Sequence, residues 1–141
     1  MRVVHVIARF NQGGTATWLV NLIDGQRSQG DQVWLVAGNV EDGEVEDSRF
    51  TTLGGIRIPK LGRSVSPIKD FLSILELRAF LKEFDPDVIN THTAKAGLVG
   101  RIAAFSLGVK RPKIVHTYHG HVLYGYFGPI TNFIYKRIEI A

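Results

Sequence analysis

The 141 residues include no cysteine. Disulfides, thiol nucleophiles and zinc–thiolate sites are therefore excluded, and the composition fits a reducing compartment. No stretch approaches the roughly 20 consecutive apolar residues that a bilayer-spanning helix needs. The N-terminus, Met1-Arg2-Val3-Val4-His5-Val6-Ile7, lacks the apolar length and cleavage site of a secretory leader and reads as a first strand. Acidic residues are missing altogether from Val88 to Ile138, whereas Lys95, Arg101, Lys110, Arg111, Lys113, Lys136 and Arg137 fall there. That stretch carries +7 within a net charge of +4. Such asymmetry suits an anionic partner, whether a nucleoside diphosphate, a lipid phosphate or a membrane surface, and is equally compatible with a merely solvated face. The basic residues are scattered rather than aligned on one helix with interleaved aromatics, which argues against nucleic acid.

Other absences narrow the chemistry. No pair of carboxylates and no Ser-His-Asp order can be argued near a common edge, so hydrolysis of the familiar kinds is unsupported. Asn11-Gln12-Gly13-Gly14-Thr15-Ala16 lacks the G-x-G-x-x-G spacing of a dinucleotide site, and no Gly-Lys-Ser/Thr follows to make a P-loop. The four histidines between His92 and His121 have no carboxylate nearby to complete or orient a metal shell, so no metal is expected.

What is present is a regular alternation. The length indicates one domain, and 45% hydrophobic residues suffice for a core. Apolar, β-branched runs at Val3–Ala8, Val33–Ala37, Ile56–Ile58, Val88–Thr91 and Ile114–Tyr118 read as buried parallel strands. Between them lie helical patterns. The first opens at Thr15 or Ala16 with Trp18, Leu19, Leu22 and Ile23 toward the core, and Gly30 ends it. The second starts at Ser66-Pro67, with serine as N-cap and proline in the first turn. It carries Ile68, Phe71, Leu72, Leu75, Leu77, Phe80, Leu81 and Phe84 as a broad apolar face, and Asp85-Pro86 stops it. The third, Ala94–Leu107, is rich in small residues that permit close approach to a sheet. A last amphipathic helix opens at Pro129 after an aromatic loop containing Tyr124, Tyr126 and Phe127. The acidic stretch from Gly38 to Phe50 reads as a surface loop with at most one helical turn. This alternation predicts an α/β, Rossmann-like, three-layer α/β/α sandwich with a parallel sheet of order 3-2-1-4-5.

In such a sheet ligands bind beyond the carboxyl ends of the strands, at the switch point between strands one and four. Gly13, Gly14 and Thr15 follow strand one and open a helix, where free N–H groups and the helix dipole favour an anion; a simple tight turn is the competing reading. His92 ends strand four and His119 follows strand five, so both face this crevice; each could instead be a packed, backbone-bonded histidine. His116 and His5 lie within strands and read as structural.

The ordered set Gly13-Gly14, Asp87-Val88-Ile89-Asn90-Thr91-His92-Thr93-Ala94-Lys95-Ala96-Gly97, Gly100-Arg101-Ile102-Ala103-Ala104 and His116-Thr117-Tyr118-His119-Gly120 resembles the N-terminal domain of GT-B glycosyltransferases of family 4 (group 1). The similarity spans nearly the whole chain and lies closest to the cell-surface polysaccharide branch, where His-Gly-His precedes an aromatic loop. It implies one half of a GT-B fold, with residues 1–141 as an acceptor-side domain facing a donor-side domain across a cleft. Further implications are retention of configuration, no bound metal or resident cofactor, a nucleotide-diphosphate sugar as donor, and a glycan or lipid-linked acceptor. By this resemblance Gly13, Gly14 and Thr15 lie near the donor diphosphate and His119 at the reacting centre. His92, Lys95, Tyr118 and His121 would contact substrate. It further implies a cytoplasmic protein with peripheral contact at the inner face of the plasma membrane. The donor domain and its Glu-x7-Glu pair are absent from these residues, so a truncated and inactive fragment is expected. The alternative is a stand-alone nucleotide- or anion-binding module without catalysis.

Overall fold

In a computed structural model, residues 1–119 are described, and all structural statements below concern them. His121, the aromatic loop and the helix expected from Pro129 lie outside the described residues. The elements, in chain order, are β1 (Arg2–Arg9), α1 (Gly14–Ser28), β2 (Gln32–Gly38), α2 (Arg49–Thr52), β3 (Ile56–Arg57), α3 (Pro67–Phe84), β4 (Val88–His92), α4 (Ala94–Phe105) and β5 (Lys113–Thr117), with a 3-10 turn at Gly108–Lys110. The five strands form one parallel sheet in the order β3-β2-β1-β4-β5. The predicted order is therefore the observed one, with β1 and β4 adjacent at the switch point.

Strand period fixes the layers. Successive residues of β1 alternate between faces, and both faces are buried. Val4 and Val6 pack with Ile89, Leu77, Phe80, Leu81, Ala96 and Val99 beneath α3 and α4. Val3 and Ile7 pack on the opposite side with Leu19, Val20, Ile23, Leu35 and Phe50 beneath α1 and α2. A near-continuous apolar strand is what such two-sided cover requires.

Small residues bring α4 close to the sheet. A Cβ at Gly100 would stand 2.4 Å from Thr91 Cγ2, and one at Gly97 would stand 2.9 Å from His116 Cε1. No side chain fits at either position without displacing a neighbour.

Two sequence expectations are corrected here. Trp18 is not in the core stripe of α1: the buried positions are Ala16, Leu19, Val20 and Ile23, and Trp18 is 44% exposed, turned to the carboxyl edge of the sheet. The apolar face of α3 is buried at Leu77, Phe80 and Leu81, whereas Ile68, Phe71 and Leu75 stand exposed among the described residues. The acidic stretch 38–50 is the expected surface loop, running into the short helix α2, and it is tied down at several points. Asp47 N–H bonds Phe10 O at 2.9 Å, Gln12 N–H bonds Val45 O at 2.9 Å, and Arg9 pairs with Glu44 at 3.0 Å. Its carboxylates serve local cations, and it props the turn after β1.

Adding one methyl group tests the α4 contact. Gly100→Ala is expected to cost about 1–3 kcal/mol by overpacking. Gly25→Ala, in the interior of α1 with nothing within 4 Å of the new Cβ, is expected to stabilise by about 0.5–1 kcal/mol. Denaturant unfolding of the two variants checks the opposite signs.

Candidate active site at the carboxyl edge of the sheet

The turn after β1 delivers an open helix terminus. Gly13 sits at φ 155° and ψ −174°, a conformation held almost only by glycine. No side chain caps the first turn of α1 and no acid lies in it. The first N–H groups of α1 lack intrahelical acceptors by construction and carry the positive end of the dipole. A Cβ at Gly13 or Gly14 would meet nothing within 4 Å, so the surface over Gly13, Gly14 and Thr15 is clear.

Beside this turn three histidines form a row. His92 of β4 is in register with Ile7 of β1, two residues past His5, and with Thr117 of β5, two residues before His119. Residues two apart share a face, so His5, His92 and His119 climb diagonally across three neighbouring strands on the α1 side. Their nitrogens meet in line: His5 Nδ1 lies 3.0 Å from His92 Nε2, and His92 Nδ1 lies 2.8 Å from His119 Nε2. The inner end is closed by Gln26 of α1, whose Oε1 is 2.8 Å from His5 Nε2. Trp18 stands edge-on to the outer two rings, with centroids 6.0 Å from His92 and 4.9 Å from His119. The three imidazoles bond one another instead of converging on a shared point, so their arrangement is a relay and not a ligand set.

Burial governs their charge. His5 and His92 are fully buried, and His119 is exposed at the rim. Desolvation pushes the His5 pKa down, opposed by the bond to Gln26. Burial first, then the fields of His5, His119 and His116, push His92 down to about 2. Burial also lowers His119. The row is thus neutral at physiological pH.

The other expected site residues fall elsewhere. Lys95 is only 6% exposed. Its ammonium lies 2.6 Å from Asp70 Oδ1 of α3 and also donates to the carbonyl of Ser64, so it ties α3 and the preceding loop to α4. Tyr118 is exposed at the rim, edge-on to His116 at 4.6 Å. His116 is on the opposite face from the row, bonded to Thr91 Oγ1 at 2.8 Å over Gly97. Thr93 adds a feature that the sequence reading passed over. It opens α4 at φ 75°, a costly conformation for a β-branched residue, and its buried hydroxyl has no partner among the described residues. Gln26, Trp18, Asp70 and the link from His5 to His92 were also missed. Strand parity is the signal that would have joined His5 to His92 and His119. Nothing comparable marks Gln26, whose role depends on the angle at which α1 crosses the sheet.

A parallel sheet of this order with helices on both faces and an open helix terminus at the switch point is the Rossmann-like half of a GT-B fold. Residues 12–140 match the model of Glycosyltransferase Family 4, and the chain belongs to that family. Over 100 residues it is 36% identical to the UDP-Gal:alpha-D-GlcNAc-diphosphoundecaprenol alpha-1,3-galactosyltransferase of Escherichia coli, covering 71% of this chain and 25% of that protein. Among solved structures, the fold is similar to the lipopolysaccharide outer core galactosyltransferase WaaB in its apo form (TM-score 0.69, 15% identity, 84% of this chain and 33% of that one). It is also similar to MurG of Acinetobacter baumannii (TM-score 0.63, 16% identity, 97% and 39%). A third is the UDP-GlcNAc 2-epimerase of Neisseria meningitidis bound to UDP-GlcNAc (TM-score 0.64, 16% identity, 98% and 37%). The chain spans about a quarter of the curated relative and between a third and two-fifths of these solved chains. No described helix is long and apolar enough to cross a membrane.

Two predictions follow the charges. Below about pH 6.5 the unfolded chain takes up protons that folded His5 and His92 refuse. Their stabilisation is therefore complete above that pH and declines as pH falls toward the depressed folded values. His92 alone contributes up to about 1.4 kcal/mol per pH unit. Denaturant unfolding at pH 7.5 and 5.5 should show this loss, and His92→Gln should flatten the slope by about one proton. For the ion pair, Asp70→Asn strands a buried ammonium and should cost about 3 kcal/mol. The double variant Asp70→Leu/Lys95→Met should lose less than Asp70→Asn alone, as read from the same unfolding curves.

Proposed function

We propose that this chain is the acceptor-side domain of a retaining glycosyltransferase that transfers a sugar from a nucleotide-diphosphate sugar to a lipid- or polysaccharide-linked acceptor in cell-surface polysaccharide synthesis. The observation that carries the reading is the position of His119, held at the rim by a buried hydrogen-bonded row and edge-on to Trp18 of the helix that opens at Gly13-Gly14. The curated relative supports the acceptor class, since its own acceptor is a sugar on diphosphoundecaprenol and its donor is UDP-Gal.

In this proposal the donor diphosphate approaches the N–H groups at Gly14 and Thr15, where the dipole stabilises charge developing on the leaving group. The glycines admit the phosphate because they add no side-chain bulk. The neutral imidazole of His119 receives a hydrogen bond from a sugar hydroxyl at the reacting centre. Trp18 and Tyr118 offer aromatic surface to sugar rings. The unpartnered hydroxyl of Thr93 offers one more polar contact. His92 acts from behind His119, and Lys95 acts by fixing α3 against α4, since its ammonium is already engaged. The reading assigns no resident metal or cofactor. The donor would be held mainly by a second domain of a longer parent, so the isolated domain is expected to be inactive. The exposed basic residues Lys110, Arg111 and Lys113 would meet anionic lipid at the cytoplasmic face of the membrane, where a lipid-linked acceptor resides.

The test is transfer by the full-length parent, with labelled UDP- and GDP-sugars and membrane lipid extract. His119→Ala should lower the rate by about 10²–10⁴-fold while the far-ultraviolet circular dichroism stays unchanged. Undiminished transfer would remove His119 from the reaction.

A further inference from the structure

We propose that Gln26 is a positioning residue: through His5 and His92 it fixes the tautomer of His119, so that His119 presents an unprotonated Nδ1 to the substrate hydroxyl. The inference deepens the reading above and rests on His119 being at the reacting centre.

The argument is one of hydrogen-bond polarity. A neutral imidazole has one N–H donor and one lone-pair nitrogen, so each ring in a chain must donate on one side and accept on the other. The carbonyl oxygen of Gln26 can only accept. His5 Nε2, 2.8 Å away, must therefore carry the proton, and His5 Nδ1 is left as the acceptor. His92 Nε2, 3.0 Å from that nitrogen, must then donate, leaving His92 Nδ1 as the acceptor. His119 Nε2, 2.8 Å from it, must donate in turn. Three Nδ1 atoms then carry no proton, and among the described residues the one whose lone pair this row leaves unused is that of His119, the exposed outermost ring. With its oxygen turned to His5, one amide on α1 thus sets the polarity of the row out to His119.

Burial makes the polarity strict. A proton added to His5 or His92 would put a donor opposite a donor inside the core. At His119 the same event is harmless to the chain: a proton taken at Nδ1 leaves Nε2–H still donating to His92 Nδ1. The row can accept a proton from a hydroxyl without reorganising any of its three bonds. A group that is to receive a proton needs that property, and a row of reversed polarity, with Nδ1 already protonated, would lack it. The Trp18 edge beside His92 and His119 restrains the outer rings from turning.

The decisive measurement is the tautomer itself. The 141-residue chain, labelled with ¹⁵N-histidine, is examined by two-bond ¹⁵N–¹H correlation at pH 7.5, with resonances assigned by single replacement of its five histidines. The expected pattern is Nε2–H on His5, His92 and His119. Gln26→Glu, an acceptor only, should preserve it. Gln26→Lys, a donor only, should invert the row and place the proton on His119 Nδ1. Nδ1–H at His119 in the unmodified chain overturns the inference without reference to any variant. So does a His119 tautomer that is the same in folded Gln26→Lys. In the full-length parent, Gln26→Glu should keep kcat within a few-fold, and Gln26→Lys should lower kcat by at least about 10²-fold with donor KM little changed. If the spectra match but transfer ignores both Gln26→Lys and His119→Ala, it is the placement of His119 at the reacting centre that fails, and the catalytic inference falls with it.

Discussion

The hydrogen bonds joining His5, His92 and His119 exist because β1, β4 and β5 are consecutive neighbours in a parallel sheet. Parting these strands would break the row and leave His5 with Gln26 alone. His5 and His92 belong to β1 and β4 and His119 follows β5 by two residues, so each next ring lies two residues nearer the carboxyl edge, as the register requires. The row links the core beneath α1 to the rim where a ligand would sit. A polar line through an apolar layer is costly unless each member is satisfied. Here the inner end is closed by Gln26 and the outer end opens to solvent.

The two sides of the sheet carry different electrostatics. On the α1 side the buried imidazoles of His5 and His92 are neutral, because desolvation suppresses their protonation. On the α3–α4 side a buried ion pair, Lys95 with Asp70, joins two helices. The first arrangement suits a site where a proton moves. The second suits a clamp, since removing either charge strands the other. The open terminus of α1 adds fixed positive potential from the backbone itself, next to the rim histidine.

Much of this was legible in the residues. β-branched runs alternating with helical patterns sufficed for the sheet order, because right-handed crossovers leave few alternatives. Gly13-Gly14, His92 and His119 could be placed at the switch point on the same grounds. The misplacements have physical causes. Trp18 is apolar and sits at helical spacing, yet it turns to the rim where aromatic rings meet it. Ile68, Phe71 and Leu75 share the spacing of buried residues, yet they stand exposed among the described residues. Lys95 looked like a surface cation in a basic stretch, and only the fold brings Asp70 to it. His5 looked like filler in a strand until its parity with His92 was set by the register. Gln26 carried no signal, because helix crossing angles are not written in local pattern.

A structure of the full-length parent with a nucleotide-sugar bound would test the central claim most directly. The account predicts diphosphate oxygens within hydrogen-bond distance of the Gly14 and Thr15 N–H groups, and a sugar hydroxyl on His119 Nδ1. A donor bound away from the turn at Gly13-Gly14, with His119 touching no ligand atom, would contradict it.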